Sequence, residues 1–213
     1  MTGQELANIA KSFLNETTCY LLGFWGQYCS QTEYKRVNFE LARSGKNNDK
    51  YNNQRYIGDS SCYPFDCINF VKGILGGCRP GRRISYNQMK ANPVGDCTPE
   101  DFGKQLLDVL PKPSGSYYSD VPAGYGLAKS GHAALSLGGG NWIDVSYNNS
   151  QNGAMMHSGG IPREYTCGKI PTIDYSDQPV PEPGDAEDFR NYLMDHAPET
   201  IATLYEKWRK QNG

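Results

Sequence analysis

Three consecutive glycines, Gly138 to Gly140, separate two short apolar segments and constrain the fold more than any other feature of the chain. Glycine tolerates the positive backbone φ angles of tight hairpins, so the pattern predicts antiparallel strands over residues 132–137 and 141–147. A third strand is expected near residues 165–174. Together these segments predict a small antiparallel sheet.

The loop length of this hairpin decides which side chains share a face of the sheet. A three-residue loop pairs Leu137 with Asn141 and Ala134 with Asp144. Because strand side chains alternate between faces, His132 and Asp144 then lie as diagonal neighbours on one face. A two-residue loop would place them on opposite faces. The contact is therefore expected only with the three-residue loop.

Helical patterns supply the rest of the predicted fold. Apolar residues at helical spacing predict an amphipathic helix over residues 3–15 and a second helix over 66–75. A capping threonine followed by proline predicts a third helix over 99–110. The polar residues 43–61 and the Pro/Gly-rich residues 111–131 are expected to form loops. The fold class expected from these elements is α+β.

Composition changes sharply after residue 175. Residues 176–185 are rich in proline and predict a semi-rigid linker, and residues 186–213 predict a helical tail. The tail carries apolar side chains such as Trp208, which need apolar surface to pack against. We therefore expect the tail to contact the same chain or a partner protein, and residues 1–175 to form one domain.

Charge and apolar content argue against two classes of partner. The formal net charge is −2, with 21 Lys and Arg against 23 Asp and Glu, so no general attraction to nucleic acid is expected. The three arginines between Arg79 and Arg83 are interpreted as a solvated loop. No segment approaches the roughly 18 apolar residues that span a membrane.

Glu5 and Lys11 interrupt the N-terminal apolar residues, so no signal peptide is expected.

The chain contains seven cysteines, and an odd number leaves at least one unpaired. There is no C-x-x-C pair and no cluster of Cys and His, so no metal site and no cofactor are expected. Six of the cysteines either form disulfides in an oxidising compartment or remain buried thiols, namely Cys19, Cys29, Cys62, Cys78, Cys97 and Cys167. The sequence favours some pairing but does not identify the pairs.

Cys67 differs from these six because it lies at the predicted start of the second helix. Backbone N–H groups at a helix N-terminus stabilise a nearby anion, which lowers the pKa of a thiol and favours the reactive thiolate. The same groups can bind the oxyanion of a tetrahedral intermediate. Cys67 is therefore a candidate nucleophile. The alternative is a buried thiol, or a disulfide with Cys62 or Cys78.

A thiol nucleophile needs a base, and the chain has three histidines. His196 lies beyond the predicted linker, and His157 is interpreted as a surface residue in a polar loop. His132 opens a predicted strand beside small residues that leave room for a substrate, so it is the candidate base. Asp144 is the candidate orienting residue. The alternatives are an ordinary edge-strand histidine and an ordinary hairpin aspartate.

Three segments carry a resemblance to a known family. Residues 65–71, Phe-Asp-Cys-Ile-Asn-Phe-Val, match a DC-x-x-F-V nucleophile motif. Residues 131–144 begin with Gly-His, end with Ile-Asp and match a GH-x-x-x-x-x-G-x-G-x-x-I-(E/H/D) hairpin. Residues 20–26, Tyr-Leu-Leu-Gly-Phe-Trp-Gly, match a Y-x-x-G-x-x-G element. The Y-x-x-G-x-x-G element precedes the nucleophile motif, and the hairpin follows it. In this chain order the motifs resemble those of NlpC-type peptidoglycan hydrolases, over roughly residues 1–175.

The resemblance implies a papain-like α+β fold in which the nucleophile helix packs on a small antiparallel sheet. It also implies cleavage of bacterial cell-wall stem peptides, usually between D-glutamate and the diamino acid. Cys67 would be the nucleophile, His132 the base and Asp144 the orienting residue. Tyr20 would line the site near the oxyanion, and Asp66 would meet the free amine of the substrate.

Trp142 is a further candidate for substrate binding. Trp142 equally suits a plain apolar core, which is also the alternative for Tyr20. The alternative for Asp66 is a favourable charge in the first helical turn. The partner implied by the resemblance is peptidoglycan. Since no signal peptide is expected, the protein would reach the bacterial cell wall after lysis, injection or non-classical export.

The chain also departs from the family pattern. The stretches before and after Cys67 are longer than in compact members, Ile68-Asn69 replaces a common Ser-Gly, and the third site position is often histidine. The cleaved bond therefore stays open between the one named above and the muramoyl–L-alanine bond, which CHAP-type amidases cut. A non-catalytic wall-binding module is the alternative from another functional class.

Overall fold

The structure is a computed structural model that describes residues 1–51, 53–148 and 151–176. Almost all of the predicted linker and the whole predicted tail, residues 186–213, lie outside the described residues. None of the described helices is long and apolar enough to cross a membrane.

The described residues form a mixed α+β fold, as expected. The helices are α1 Gly3–Ser12, α2 Gln31–Ala42, α3 Cys67–Leu75, α4 Tyr86–Lys90 and α5 Pro99–Gln105. The strands are β1 Thr18–Tyr20, β2 Tyr63–Phe65, β3 Tyr117–Tyr118, β4 Gly126–Lys129, β5 His132–Gly138, β6 Asn141–Asn148, β7 Gln151–His157, β8 Ile161–Pro162 and β9 Thr166–Gly168. Short 3₁₀ turns follow α1 and lie between α2 and β2.

An antiparallel sheet in the order β7-β6-β5-β4-β9 organises the domain. Its two faces carry different sets of side chains because strand residues alternate. Leu135 and Ile143 lie on the face that packs against α1, α3 and α5, in one core with Phe70 of α3. Ala134 and Trp142 belong to a second core on the opposite face. The sheet is thus covered on both sides around β5 and β6.

The predicted register of the glycine hairpin is confirmed, and the predicted loop is wrong. Leu135 pairs with Ile143, which is the register expected from a three-residue loop. The turn itself has only two residues, Gly139 and Gly140, with φ angles of 58° and 72° that suit a type I′ turn. A bulge between Ser136 and Gly138 contributes the extra residue. His132 and Asp144 therefore still share a face.

Other helices and strands differ from the predicted ones because their backbones pair with segments that are distant in sequence. The helix predicted over 99–110 ends at Gln105, because the backbone of Leu107 pairs with Lys169 instead. The loop predicted over 111–131 contains β3 and β4, and the short strand β4 is hydrogen-bonded on both sides. The third predicted strand is confirmed only over β9. Strand β7 was not predicted at all.

All seven cysteines are described, and all are free thiols. The expectation that some of them pair is therefore wrong for this structure. Cys19 and Cys62 come closest, with their Sγ atoms 3.3 Å apart beside the parallel pair β1–β2.

Candidate active site

Cys67 is placed by the cap of α3 and by the strand that precedes it. Asp66 is the N-cap, and its Oδ1 accepts a hydrogen bond from the backbone N of Asn69 at 2.8 Å. The thiol is buried, and Sγ donates to the carbonyl oxygen of Gly131 over 3.8 Å. The backbone N–H of Ala133 hydrogen-bonds to the same sulfur. Both chain neighbours of His132 therefore contact the candidate nucleophile.

The expected lowering of the thiol pKa is wrong. Burial, and next the charge of Asp66, raise the pKa of Cys67 to about 12, although N–H groups of Ala133 and Ile68 act in the opposite direction. The N-terminal helix dipole does not compensate for a buried site with a carboxylate beside it. The thiol is therefore protonated at rest and needs a base to activate it.

His132 and Asp144 form the contact predicted from the hairpin register. The Nε2 atom of His132 lies 2.6 Å from Oδ2 of Asp144. Because Nε2 is engaged with the carboxylate, Nδ1 is the ring nitrogen left to accept a proton. The His132 side chain is 19% exposed, so the imidazole is held by the protein yet still reachable.

His157 is a site residue that the sequence interpretation missed. It lies on β7 and not in a surface loop, and its Nε2 is 3.0 Å from Oδ1 of Asp144. Strand β7 pairs Trp142 with His157, and their rings stack with centroids 3.8 Å apart. A hairpin prediction extended past Asn148 would have found this residue, but the polar, glycine-containing segment shows no alternating pattern.

Asp144 is almost fully buried between these two imidazoles, at 3% exposure. Burial raises its pKa, but the hydrogen bonds from His132 and His157 outweigh burial and hold the pKa of Asp144 below its usual value. The carboxylate is therefore ionised at neutral pH and can stabilise a protonated His132.

A groove of about 980 Å³ opens onto Cys67. One wall is α2, including Arg36 and Val37, which belongs to the long stretch between the first two motifs. The other wall includes Tyr86 and Glu100. An extended ligand can therefore lie across the thiol between two helical walls.

Tyr20 lines this groove, and its contact with substrate stays a prediction. Its strand β1 pairs in parallel with β2, so that Tyr20 lies opposite Phe65, two residues before Cys67. The backbone N of Tyr20 donates to Oδ1 of Asn152 at 2.9 Å, which ties β1 to β7. Burial, and next the thiol of Cys67, raise the pKa of Tyr20, so its hydroxyl remains a donor.

The two other predicted substrate contacts have structural partners of their own. Both oxygens of Asp66 are hydrogen-bonded, with Oδ2 accepting from the backbone N of Gly23 and from Nδ2 of Asn69, each at 2.8 Å. Trp142 is buried in the second core against His157 and Tyr165. The structure thus shows a helix cap and a core aromatic, and their contact with substrate stays a prediction.

Glu100 is a second residue that the sequence interpretation missed. Its Oε1 accepts a hydrogen bond from the backbone N of Gly131 at 2.7 Å. Gly131 precedes His132 and also accepts from the thiol of Cys67, so Glu100 ties helix α5 to the turn that presents the histidine.

Within the described residues, no group of three or more His, Cys, Asp or Glu side chains could hold a metal ion. Comparison with models of known protein families, with curated proteins and with solved structures finds no match.

Proposed function

We propose that the protein is a papain-like cysteine hydrolase of NlpC type that cleaves peptidoglycan stem peptides between D-glutamate and the diamino acid. The observation that carries the proposal is the position of the Cys67 thiol, at a helix start and in contact with both chain neighbours of His132. His132 is in turn held by Asp144 at 2.6 Å. Two of the three motifs that resemble this family, at residues 65–71 and 131–144, contain these three residues.

The reaction follows from this arrangement. His132 takes the thiol proton on Nδ1 as the sulfur of Cys67 attacks the peptide carbonyl. Asp144 stabilises the imidazolium that forms. N–H groups in the first turn of α3 and the hydroxyl of Tyr20 stabilise the oxyanion. His132 then gives its proton to the leaving amine, and later activates the water that hydrolyses the thioester.

Because the pKa of Cys67 is raised, the reaction starts from a thiol and not from a thiolate. The thiol is protonated before substrate binds, because a thiol pKa of about 12 lies far above neutral pH. Proton transfer then accompanies the attack and does not precede it. His132 acts as a general base in the strict sense, and no cofactor is needed.

The proposed substrate is compatible with three biological settings. The protein would act on the bacterial cell wall after lysis, injection or non-classical export, as a phage lysin, an antibacterial toxin or a remodelling enzyme. The predicted tail, residues 186–213, would contact this chain or a partner protein.

The test is to incubate the protein with purified cell walls and to identify the new ends of the released muropeptides by mass spectrometry. New C-terminal D-glutamyl residues and free diamino-acid amines are expected. Free L-alanine amino ends would instead show the amidase specificity. If walls bind the protein but release no fragments under any condition, the hydrolase proposal is refuted and a wall-binding role replaces it.

A further inference from the structure

Asp144 has a histidine partner on each side. His132 on β5 lies 2.6 Å from Oδ2, and His157 on β7 lies 3.0 Å from Oδ1. Both histidines are diagonal neighbours of Asp144 across the strands of one sheet. Each carboxylate oxygen thus has its own imidazole, while the reaction described above uses only the first.

The ring of His157 makes a second, separate contact. It stacks on Trp142 with an interplanar angle of 14°. Trp142 is 8% exposed and the His157 side chain 31%, so the stack covers a core aromatic at the edge of the site. The hydrogen bond and the stack use different features of the side chain, and substitutions can separate them.

We propose that His157 is a positioning residue, which holds the Asp144 carboxylate in the orientation that His132 requires. The inference rests on the proposed function, because it assigns His157 a part in that same reaction. A carboxylate bonded through one oxygen can rotate about its Cβ–Cγ bond, whereas a donor on each oxygen fixes its plane. A fixed carboxylate in turn fixes the His132 ring, whose other nitrogen has to face the thiol.

The titratable groups that face Asp144 come from four parts of the fold. His132 and His157 face it from the neighbouring strands, Cys67 from α3, and Tyr165 from the turn between β8 and β9. Burial raises the pKa of both Cys67 and Tyr165, so neither is charged near neutral pH. The two histidines are therefore the groups that oppose burial and keep Asp144 ionised. Loss of either one moves the Asp144 titration to higher pH.

Two substitutions separate the hydrogen bond from the stack. His157→Phe keeps an aromatic ring against Trp142 and removes the donor, whereas His157→Gln keeps a side-chain N–H and removes the ring. In each variant the Asp144 titration is followed by ¹³C NMR of its carboxyl carbon, which is assigned by its loss in Asp144→Asn. The kcat and KM are measured on purified wall fragments.

We expect His157→Phe to move the Asp144 titration to higher pH and to lower kcat about 10- to 100-fold, with KM within about twofold of wild type. His157→Gln should retain the wild-type titration and a kcat within about threefold. The opposite pattern, with the phenylalanine variant normal and the glutamine variant impaired, would show that only the stack matters and would overturn the inference. An unchanged Asp144 titration in His157→Phe would overturn it too.

The NMR readout also distinguishes this inference from the proposed function. If wild-type protein releases nothing from walls while the titration still responds as expected, the proposed function fails and the positioning of Asp144 stands. If His157→Phe does not fold, the test depends on His157→Gln, which keeps a hydrogen-bond donor. A shift of the Asp144 titration to higher pH in this variant would refute the role of the hydrogen bond.

Discussion

Replacement of Asp144 should destabilise the protein strongly, and in a pH-dependent way. Asp144 is 3% exposed and accepts one hydrogen bond from each of two histidines. Hydrogen bonds to a charged group contribute about 1.5–3 kcal/mol each, so Asp144→Ala should lower the free energy of unfolding by about 3–6 kcal/mol at pH 7. Asp144→Asn retains one acceptor oxygen and should lower it by about 1.5–3 kcal/mol.

The sign of the pH dependence follows from the lowered pKa of Asp144. A carboxyl group with a lowered pKa in the folded state contributes its full stability above its unfolded pKa, about 3.9. That contribution is lost as the pH falls through the lower folded pKa. The difference between wild type and Asp144→Ala should therefore be largest at neutral pH and should shrink below about pH 4.

Equilibrium unfolding in urea between pH 3 and pH 8 measures both effects. Asp120→Ala, which removes an exposed carboxylate, serves as the control and should leave the free energy of unfolding unchanged. If Asp144→Ala is as stable as the control variant at pH 7, the two hydrogen bonds to Asp144 do not stabilise the fold. A destabilisation that grows on acidification would contradict the lowered pKa of Asp144.

Three further predictions address the thiol, the hairpin and the turn before His132. Because burial raises the pKa of Cys67 to about 12, the rate at which iodoacetamide alkylates Cys67 should rise about tenfold per pH unit from pH 6 to 9. Peptide mass spectrometry measures that rate for Cys67 alone. A plateau of the rate in this range would contradict the raised pKa. Gly140→Ala should lower the free energy of unfolding by about 1–3 kcal/mol, because φ is +72° and the new Cβ would lie 2.8 Å from the carbonyl oxygen of Ser119. Gly139→Asn should leave the free energy of unfolding nearly unchanged, since asparagine accepts positive φ and the added Cβ has room. Urea unfolding of the Gly140→Ala and Gly139→Asn variants tests both expectations. Glu100→Ala should lower kcat on wall fragments about three- to tenfold, because it removes the hydrogen bond to Gly131. Glu100→Gln keeps an acceptor for the N–H of Gly131, so its kcat should remain near that of wild type. Equal kcat values for the two variants would show that this hydrogen bond does not matter for the reaction.

The parts of the fold predicted from sequence are those with local signals. Helix α3 follows from its cap and its apolar residues, and the hairpin follows from its glycines. Register was predicted even though the turn was not, because the bulge beside Gly138 restores the pairing that a longer loop would give. The contact between His132 and Asp144 was therefore predicted correctly from an incorrect loop.

The parts that were missed depend on tertiary partners. Strands β4 and β7 are short or polar, and only their neighbours in the sheet make them strands. The contact of His157 with Asp144 depends on β7, so it was missed with that strand. The pKa of Cys67 depends on burial and on Asp66, which a helix start alone does not reveal.

The most direct test of the central claim compares the rate of muropeptide release from purified walls by three proteins. Cys67→Ala removes the proposed nucleophile, whereas Cys97→Ala removes another thiol that lines the same groove. Cys67→Ala should release no more than buffer alone, while Cys97→Ala should stay within about threefold of wild type. Release by Cys67→Ala at the wild-type rate would contradict the claim that this thiol carries out the reaction.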